Sequence, residues 1–387
     1  MAIVVLSTHN VVNFPDGGGH FWVYLQYVEG LRRAGCEVYW LEQFRPYDDE
    51  SYNTEIVTLF IERMAHRGLG DRVVLYSLPH GGGQGDDAEP TYINLERQQA
   101  EAILRGADLM LNFNYRMRPS FLARFRRTAL IDIDPGLLQF WVGIGQIPLA
   151  PHDVYLTTGE TVGTPQALFP DCGVPWVRIH PPICLELWPV VADSCGDAFT
   201  TVASWWSGEA VKGVVDGQLV EYDNTKRIAF LDYLRLPERT PQPLELALLL
   251  AKDDQEEQRL LERHGWRVRD SRVVTSTPER YQAYVQGSRG EFSCAKPSCM
   301  KLQNAWVSDR TLCYMASGKP AVVQDTGPST VLPNGLGMFR FSSIEQAVDA
   351  IDAVNTDYAR HCRAARELVE AHFDASAIVR RILDTAL

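Results

Sequence analysis

Residues 308–323 read SDRTLCYMASGKPAVV, and this stretch decides the fold. Ser308 is a favourable N-cap residue, so the stretch predicts a helix over 309–316. The turn Ser317-Gly318-Lys319-Pro320 follows, and the apolar residues of 320–324 predict a strand. A helix, a tight turn and a short buried strand in this order are typical of an α/β protein with a parallel sheet.

The same alternation of strands and helices runs through the rest of the chain. In the first half the predicted strands are 3–7, 37–41, 72–77, 108–112, 128–132 and 154–157, and the predicted helices are 20–34, 54–66 with Asn53 as its cap, 95–106 and one from about 162. In the second half the predicted strands are 200–204, 244–250, 266–268, 290–293, 320–324 and 338–341, and the predicted helices are one from about 225, 255–264, 278–286, 309–316, 343–354 and 357–387. The glycine-rich stretch 80–88 predicts a surface loop.

The 387 residues are too many for one hydrophobic core and predict two domains. Pro181, Pro182 and Pro189 interrupt the alternation, so we place the boundary there, with a first domain over 1–187 and a second over 188–387. Two such domains imply a cleft between them. Ligands of parallel α/β sheets bind beyond the carboxyl ends of the strands, so the loops that follow strands are the places to search for a site.

Composition excludes several classes of function. A net charge of -12 argues against a nucleic-acid surface, which needs clustered Lys and Arg. The sequence contains no run of about 18 apolar residues, so no membrane span is predicted, and its first residues lack the features of a signal peptide. The eight cysteines form no C-x-x-C pair, which favours reduced thiols in a cytoplasmic protein. The absence of a His-rich metal motif, a G-x-S-x-G elbow and a P-loop lysine disfavours metallohydrolases, serine hydrolases and kinases, and predicts no metal site.

The run MASGKPAVV at 315–323 resembles the Met-Ala-x-Gly-x-Pro-Val-Val run of family 4 GT-B glycosyltransferases. The helices after Ser343 also resemble the end of those proteins, and the nearest group is that of unassigned bacterial GT-B glycosyltransferases with a Ser-Asp-Arg motif at 308–310. The resemblance implies two facing Rossmann-like domains, with a last helix that crosses back to the first. It also implies metal-independent transfer of a hexose from a nucleotide diphosphate-sugar, bound mainly by the second domain. The acceptor, a small molecule or a saccharide, would bind mainly to the first; no other cofactor is implied, and an oligomer is possible.

One departure from the family bears on the reaction. Family 4 proteins usually carry two glutamates, eight positions apart, where this chain has Ala305 and Cys313. Glu291, Asp309 or Asp325 are candidates to replace them. The departure leaves two alternatives open: a sugar-nucleotide 2-epimerase, which has the same architecture and needs no acceptor, and a catalytically silent partner subunit that binds a nucleotide-sugar.

The second half offers a set of candidate donor-binding residues. A helix N-terminus has unpaired N–H groups and a positive dipole, so the helix start at 308–311 predicts a pyrophosphate site, with Ser308, Asp309, Arg310 and Thr311 as candidate donor-binding residues. Glu291 is a further candidate donor-binding residue. The Asp309 carboxylate either contacts a ribose hydroxyl or only caps the helix. Lys226 and Lys296 are candidates to neutralise the leaving diphosphate, or are solvated surface cations.

The turn after the first strand resembles the glycine-rich first loop of GT-B enzymes. Gly18 and Gly19 permit a ligand to approach the backbone closely and are candidate donor-binding residues. His20 resembles the general base of inverting GT-B enzymes, because an imidazole with an ordinary pKa near 6.5 accepts a hydroxyl proton readily; the alternative is a residue that only shapes the helix start.

Two carboxylates follow strands of the first half. Asp134 and Glu160 are candidate catalytic residues that would act as a base or bind sugar hydroxyls. The alternatives are ordinary turn chemistry for Asp134, which precedes Pro-Gly, and helix capping for Glu160.

Overall fold

The computed structural model describes residues 1–79, 89–191, 196–206, 208, 210–215, 217–251 and 253–387, so the loop predicted over 80–88 lies outside the described residues. In chain order the strands are β1 (Ile3–Ser7), β2 (Glu37–Gln43), β3 (Val73–Ser77), β4 (Thr91–Tyr92), β5 (Leu109–Asn112), β6 (Thr128–Asp132), β7 (Val154–Thr157), β8 (Trp176–Arg178), β9 (Phe199–Ser204), β10 (Val211–Val215), β11 (Gln218–Tyr222), β12 (Leu244–Leu249), β13 (Arg267–Asp270), β14 (Gly290–Ser293), β15 (Ala321–Gln324) and β16 (Met338–Phe341).

The helices alternate with these strands. In chain order they are α1 (Gly18–Arg33), α2 (Glu50–His66), α3 (Arg97–Gly106), α4 (Pro119–Leu122), α5 (Leu137–Gly143), α6 (Lys226–Leu231), α7 (Gln255–Arg263), α8 (Ser271–Val274), α9 (Pro278–Gln286), α10 (Pro297–Leu302), α11 (Asp309–Ala316), α12 (Ile344–Thr356), α13 (Tyr358–His372) and α14 (Ala375–Ala386), with a short 3-10 turn at Leu236–Glu238.

Two sheets form the centres of the two halves. The first has the order β4-β3-β2-β1-β5-β6-β7-β8 and is parallel except for β4; the second has the order β13-β12-β9-β14-β15-β16 and is parallel throughout. The central strands are buried on both faces because helices cover each side, as Val4, Val5 and Leu6 of β1 illustrate. The predicted pair of Rossmann-like α/β domains is confirmed.

A β-hairpin of β10 and β11 stands apart from both sheets and was not predicted from the sequence. The hairpin lies between β9 and α6 in the chain, a segment for which the sequence analysis predicted neither a strand nor a helix.

The first helix joins the two halves. Trp22 of α1 donates from Nε1 to the Pro278 carbonyl of α9 at 2.8 Å. On its other side α1 packs against α14, and a Cβ on Gly30 would lie 2.8 Å from Val379. The last helix therefore crosses back to the first domain, as predicted. The boundary at 187/188 stays a prediction; it falls between β8, the last strand of the first sheet, and β9.

Three local predictions were wrong. Helix α2 begins at Glu50, because Asp49 accepts hydrogen bonds from the backbone N–H groups of the first turn, and Asn53 lies inside the helix, bonded to the backbone of Tyr47. No helix begins near 162; Gly163 takes φ +69° and the segment forms turns. The final helical stretch divides at Asp374, which caps α14.

Candidate functional site

A cavity of about 330 Å³ lies between the two halves, which places it within the range of ~300–1,000 Å³ typical of small-molecule sites. Its walls are the N-terminus of α1, the carboxyl ends of β9 and β12, and the N-terminus of α11. The lining residues that the sequence analysis had singled out are Gly18, Gly19, His20, Ser308, Asp309 and Arg310. The structure therefore brings together, at the carboxyl edge of the second sheet, residues from both predicted clusters.

The N-terminus of α11 is built as predicted. The Ser308 side chain accepts from the backbone N–H of Arg310 at 3.2 Å. Thr311, in the first turn, is buried and lines a smaller concavity at the ends of β14 and β15. The Asp309 carboxyl lies in the main cavity, and burial raises its pKa to about 6, against the opposing effect of Arg310. This carboxyl therefore remains mostly ionised near pH 7, and an anionic ligand bound beside it would raise its pKa further.

Arg310 turns back onto the sheet. Its Nε donates to Glu291 Oε1 at 2.7 Å, and its terminal nitrogens donate to the Val202 carbonyl at 3.0 Å and to Ser293 Oγ at 2.6 Å. The Glu291 side chain is fully buried and that of Arg310 is 12% exposed. These bonds fix the guanidinium beneath the cavity, so both side chains act first on the stability of β14 and α11. Their predicted donor contacts stay predictions.

Two lysines lie near this guanidinium. Lys226 opens α6, and its ammonium is buried and donates to the Cys294 carbonyl. Burial, together with the positive charges of Arg310 and Lys296, lowers the pKa of Lys226 to about 7. Lys296 is the N-cap residue of α10 and is half-buried. Arg310 and the two lysines thus lie near the end of β14, where Glu291 supplies one buried carboxylate. Neither lysine lines the main cavity, and an anion bound beside Lys226 would raise the pKa of its ammonium.

The glycines of α1 serve contact between the two halves. A Cβ on Gly18 would lie 2.3 Å from the Thr277 carbonyl oxygen and 2.4 Å from that of Thr275. A Cβ on Gly19 would lie 2.6 Å from the ring of Tyr281. The missing side chains therefore allow the second half to approach α1. Both glycines also line the cavity, and their predicted donor contact remains to be tested.

His20 faces the cavity from the first domain. Its Nε2 lies 2.7 Å from the His9 carbonyl oxygen, which only accepts, so Nε2 carries the hydrogen and Nδ1 carries the lone pair. Burial lowers the pKa of His20 below its ordinary value, opposed by the His9 carbonyl and by Asp134. The imidazole is therefore neutral near pH 7 and has one nitrogen able to accept a proton.

Asp134 is positioned by two neighbours. Tyr115 donates its hydroxyl to Asp134 Oδ2 at 3.2 Å, and the Asp134 backbone N–H donates to Asp132 Oδ1 at 3.0 Å. Asp132 is buried, and burial raises its pKa to about 7. His20 and Asp134 follow the carboxyl ends of the parallel strands β1 and β6, so both lie at the same edge of the first sheet, but Asp134 does not line the cavity around His20.

Glu160 has a different environment. Its carboxylate accepts from the Ser329 hydroxyl, from the Thr330 backbone N–H at 2.9 Å and from the Thr330 hydroxyl at 3.0 Å. Glu160 does not line the cavity around His20. Three protein donors therefore occupy it, and it holds a loop of the second half against the first. This placement does not support the predicted catalytic role, and no helix follows for it to cap.

The two positions that carry glutamates in family 4 are packed. Cys313 is buried on α11 beside Gln26 of α1, with Gln26 Nε2 and Cys313 Sγ 4.0 Å apart. Ala305 is buried and takes φ +54°, a left-handed backbone conformation. A glutamate at position 313 would place a carboxylate between α11 and α1, so the close contact of these helices is compatible with the small residue.

The sequence analysis missed one group that shapes the site. Glu42 is fully buried, receives hydrogen bonds from Thr8, from the Val11 backbone N–H at 2.8 Å and from Trp40, and so holds the loop that carries His9. Burial raises the pKa of Glu42 to about 7. In the sequence it was marked only as an acidic residue directly after the apolar run 38–41. Throughout the described ranges, no group of three His, Cys, Asp or Glu side chains is placed to bind a metal.

Comparisons with known proteins identify the fold. No protein-family model and no curated protein matches the chain. Among solved structures, HepE of Anabaena with UDP and glucose is 12% identical and covers 100% of this chain and 99% of its own, with a TM-score of 0.58. An alpha-glucosyltransferase in complex with UDP is 12% identical, with coverage of 100% and 99% and a TM-score of 0.60. Sucrose-phosphate synthase from Thermosynechococcus elongatus is 13% identical, with coverage of 100% and 98% and a TM-score of 0.59.

These similarities, together with the two facing parallel sheets, determine the architecture. Among the helices of the described residues, none is long and apolar enough to cross a membrane. The chain has the GT-B fold, with two Rossmann-like domains and a C-terminal helix that returns to the first.

Proposed function

We propose that this protein transfers a hexose from a nucleotide diphosphate-sugar to a hydroxyl group of a small-molecule or saccharide acceptor, in the cavity between its domains. The observation that carries the proposal is the cavity itself, in which the N-terminus of α11, with Arg310, shares the lining with His20 of the first domain. The named structural neighbours are consistent with the proposal, since HepE and the alpha-glucosyltransferase are in complex with UDP and the third is sucrose-phosphate synthase.

The second domain suits the leaving diphosphate. The unpaired N–H groups and positive dipole at the start of α11 stabilise developing negative charge, and Lys226 and Lys296 add positive charge nearby. Lysine ammonium groups supply the charge that a divalent metal supplies in other transferases, so we propose that transfer is independent of metal. Transfer in excess EDTA at the rate seen without it is the expected result.

The first domain suits proton removal. In the proposed reaction the acceptor oxygen bonds to the anomeric carbon, the bond from that carbon to the diphosphate oxygen breaks, and its electron pair leaves with the diphosphate. The acceptor proton passes to His20 Nδ1, and the resulting imidazolium is stabilised by the His9 carbonyl and by the negative charge of Asp134.

A thermal-shift panel tests donor binding. UDP, dTDP, GDP and ADP, each with and without its sugar, are compared on the wild type, on Lys296→Ala and on the control Arg259→Ala, which alters an exposed cation of α7 in the second half. A ligand at a hundredfold excess over Kd stabilises by about 2.7 kcal/mol. We expect one base to give a selective shift that Lys296→Ala weakens and the control retains; no shift with any nucleotide would contradict the proposal.

A catalytically silent partner subunit is the second candidate, because Ala305 and Cys313 replace two family carboxylates and are packed within the protein. Such a subunit would bind the nucleotide-sugar without consuming it. Mass spectrometry and proton NMR of donor incubated with excess protein and a panel of acceptors separate the functions. A new glycoside in the mass spectrum supports transfer. An epimerised donor without acceptor, which has an unchanged mass and is recognised by NMR, supports a 2-epimerase, and an unchanged donor with retained binding supports the silent subunit.

A further inference from the structure

A second, larger cavity lies beside α10 and shares no lining residue with the cavity around His20. Its volume is about 540 Å³, and it is open to solvent between the two halves. Its walls come from α5 and the loop 168–170 of the first domain and from the hairpin β10–β11 and α10 of the second. The cavity has the size of a small-molecule site and not of a protein docking face.

The hairpin is fixed against the first domain. Val211 is buried with Leu137 and Phe140 of α5. At Gly213 the backbone approaches α5 so closely that a Cβ would lie 2.8 Å from Ile144. The antiparallel pairing of β10 with β11 then presents Val214 and Leu219 to the cavity. The hairpin is thus a wall held in place by apolar contacts.

Apolar side chains that remain exposed are concentrated here. Leu168 is 64% exposed, Val214 is 62% and Leu219 is 66%, and all three line this one cavity. Exposed apolar area that converges on a concavity marks a ligand site, because its burial gains about 25 cal/mol per Å². The polar side chains of the lining are Glu221, Tyr222 and Lys301; the Lys301 ammonium lies 5.0 Å from the centre of the Tyr222 ring, and Glu221 pairs with Lys212 at 3.2 Å.

The cavity adjoins the proposed acceptor side of the active site. Gly136, two residues after Asp134, lies against Leu302 of α10, with only 3.0 Å between a Cβ placed there and the Leu302 side chain. Asn304 donates to the Pro135 carbonyl at 2.7 Å, which anchors the end of α10 to the same turn. A molecule held between the hairpin and α5 therefore lies beside the turn that carries Asp134.

We propose that this cavity binds the apolar part of the acceptor, and that the acceptor is consequently an amphipathic hydroxyl compound with an aromatic or alicyclic ring system and not a free sugar. The inference rests on the proposed glycosyl transfer. It selects the small-molecule acceptor over the saccharide. Burial of an aromatic or alicyclic ring against the apolar walls is favourable, whereas sugar hydroxyls would lose their hydrogen bonds to water there.

The test uses 4-methylumbelliferone as a probe of ring binding, followed by fluorescence anisotropy, with methyl glucoside as the competitor that lacks the ring. Leu219→Asp places a carboxylate at the cavity wall on a side chain that is already exposed. Val273→Asp is the matched control, since Val273 is 63% exposed on α8 and does not line this cavity. Binding of the nucleotides from the thermal-shift panel is measured on the same three proteins.

We expect the probe to bind the wild type and Val273→Asp equally, to bind Leu219→Asp at least tenfold more weakly, and to resist competition by methyl glucoside. Nucleotide binding should be unchanged in all three, so a failure of the donor site is detected separately. Equal affinity in both variants, no measurable binding to the wild type, or a wild-type dimer that Leu219→Asp dissociates in sedimentation would each overturn the inference.

Discussion

Replacement of Arg310 by methionine is expected to destabilise the protein strongly even without a nucleotide. The guanidinium is the partner of a fully buried carboxylate, Glu291, and also binds Val202 and Ser293. The second oxygen, Glu291 Oε2, has no hydrogen-bond partner among the described residues, so the Arg310→Met variant would leave an entire carboxylate unpaired in the interior. The loss of one member of a buried ion pair costs about 3–5 kcal/mol.

This loss in the free energy of unfolding can be measured as a decrease in the melting temperature, Tm. At roughly 2–4 °C per kcal/mol for domains of this size, Arg310→Met should lower Tm by about 6–20 °C. The double variant Glu291→Gln/Arg310→Met removes both charges and should recover at least half of that loss, because the cost comes from the unpaired charge. Arg259→Met, at an exposed arginine of α7, is the control and should change stability by less than about 0.5 kcal/mol.

Differential scanning calorimetry in nucleotide-free buffer measures these three variants. If Arg310→Met melts at the same temperature as the wild type, the ion pair does not carry the stability assigned to it. If the double variant is less stable than Arg310→Met, the loss arises from the other hydrogen bonds of the guanidinium and not from the isolated charge of Glu291.

Three further perturbations test the interface, the buried carboxyl and the base. Gly18→Ala should lower Tm, because its Cβ would meet the Thr277 carbonyl at 2.3 Å, whereas Gly106→Ala, with nothing within 4 Å, should leave Tm unchanged or raise it. Burial raises the pKa of Glu42 from 4.5 to about 7, so the native state binds a proton that the unfolded state releases in this range. The wild type therefore loses stability as the pH rises through this window. Urea unfolding should show Glu42→Gln gaining ~3 kcal/mol of stability relative to the wild type between pH 4.5 and 8. His20→Gln should lower the transfer rate by about 10²–10⁴ with nucleotide binding retained. Because burial lowers the pKa of His20 from 6.5, the acid limb of the wild-type rate profile should lie below pH 6.5.

Each of these has a result that contradicts it. Equal melting of the two alanine variants would mean that α1 and the second half separate without loss of stability. A stability difference between Glu42→Gln and the wild type that is independent of pH would place the Glu42 pKa near its ordinary value. An unchanged transfer rate in His20→Gln would remove His20 as the base and favour the Asp309 or Asp134 carboxyl.

Local chemistry made part of this structure predictable. Three neighbouring signals have one reasonable interpretation each: the N-cap at Ser308, the turn at 317–320 and the apolar run that follows it. Accordingly, α11 and β15 begin and end within a residue of the predicted bounds. At α2 two capping residues compete, and the charged Asp49 begins the helix four residues before the start predicted from Asn53. Capping preferences alone could not rank these two, because the Asn53 side chain is instead bonded to the backbone of Tyr47, six residues earlier.

The parts of the site that escaped prediction depend on contacts distant in sequence. The contact of Gly18 with Thr277 joins α1 of the first domain to the start of α9 in the second, and that of Glu160 with Thr330 joins residues 170 apart. The chemistry of Gly and Glu is compatible with either a ligand or a protein partner at these positions. The sequence therefore predicted which loops meet at the cleft, while the packing of one domain on the other determined which side chains remain available to a ligand.

The central claim is that the cavity between the domains holds a nucleotide diphosphate at the start of α11. A crystal structure of the protein with UDP, or with whichever nucleotide gives the largest thermal shift, tests it most directly. The account predicts the diphosphate at the N-terminus of α11, near Lys226 and Lys296 and on the side of the cavity opposite His20. A nucleotide bound elsewhere, or a diphosphate that contacts neither α11 nor these lysines, would contradict it.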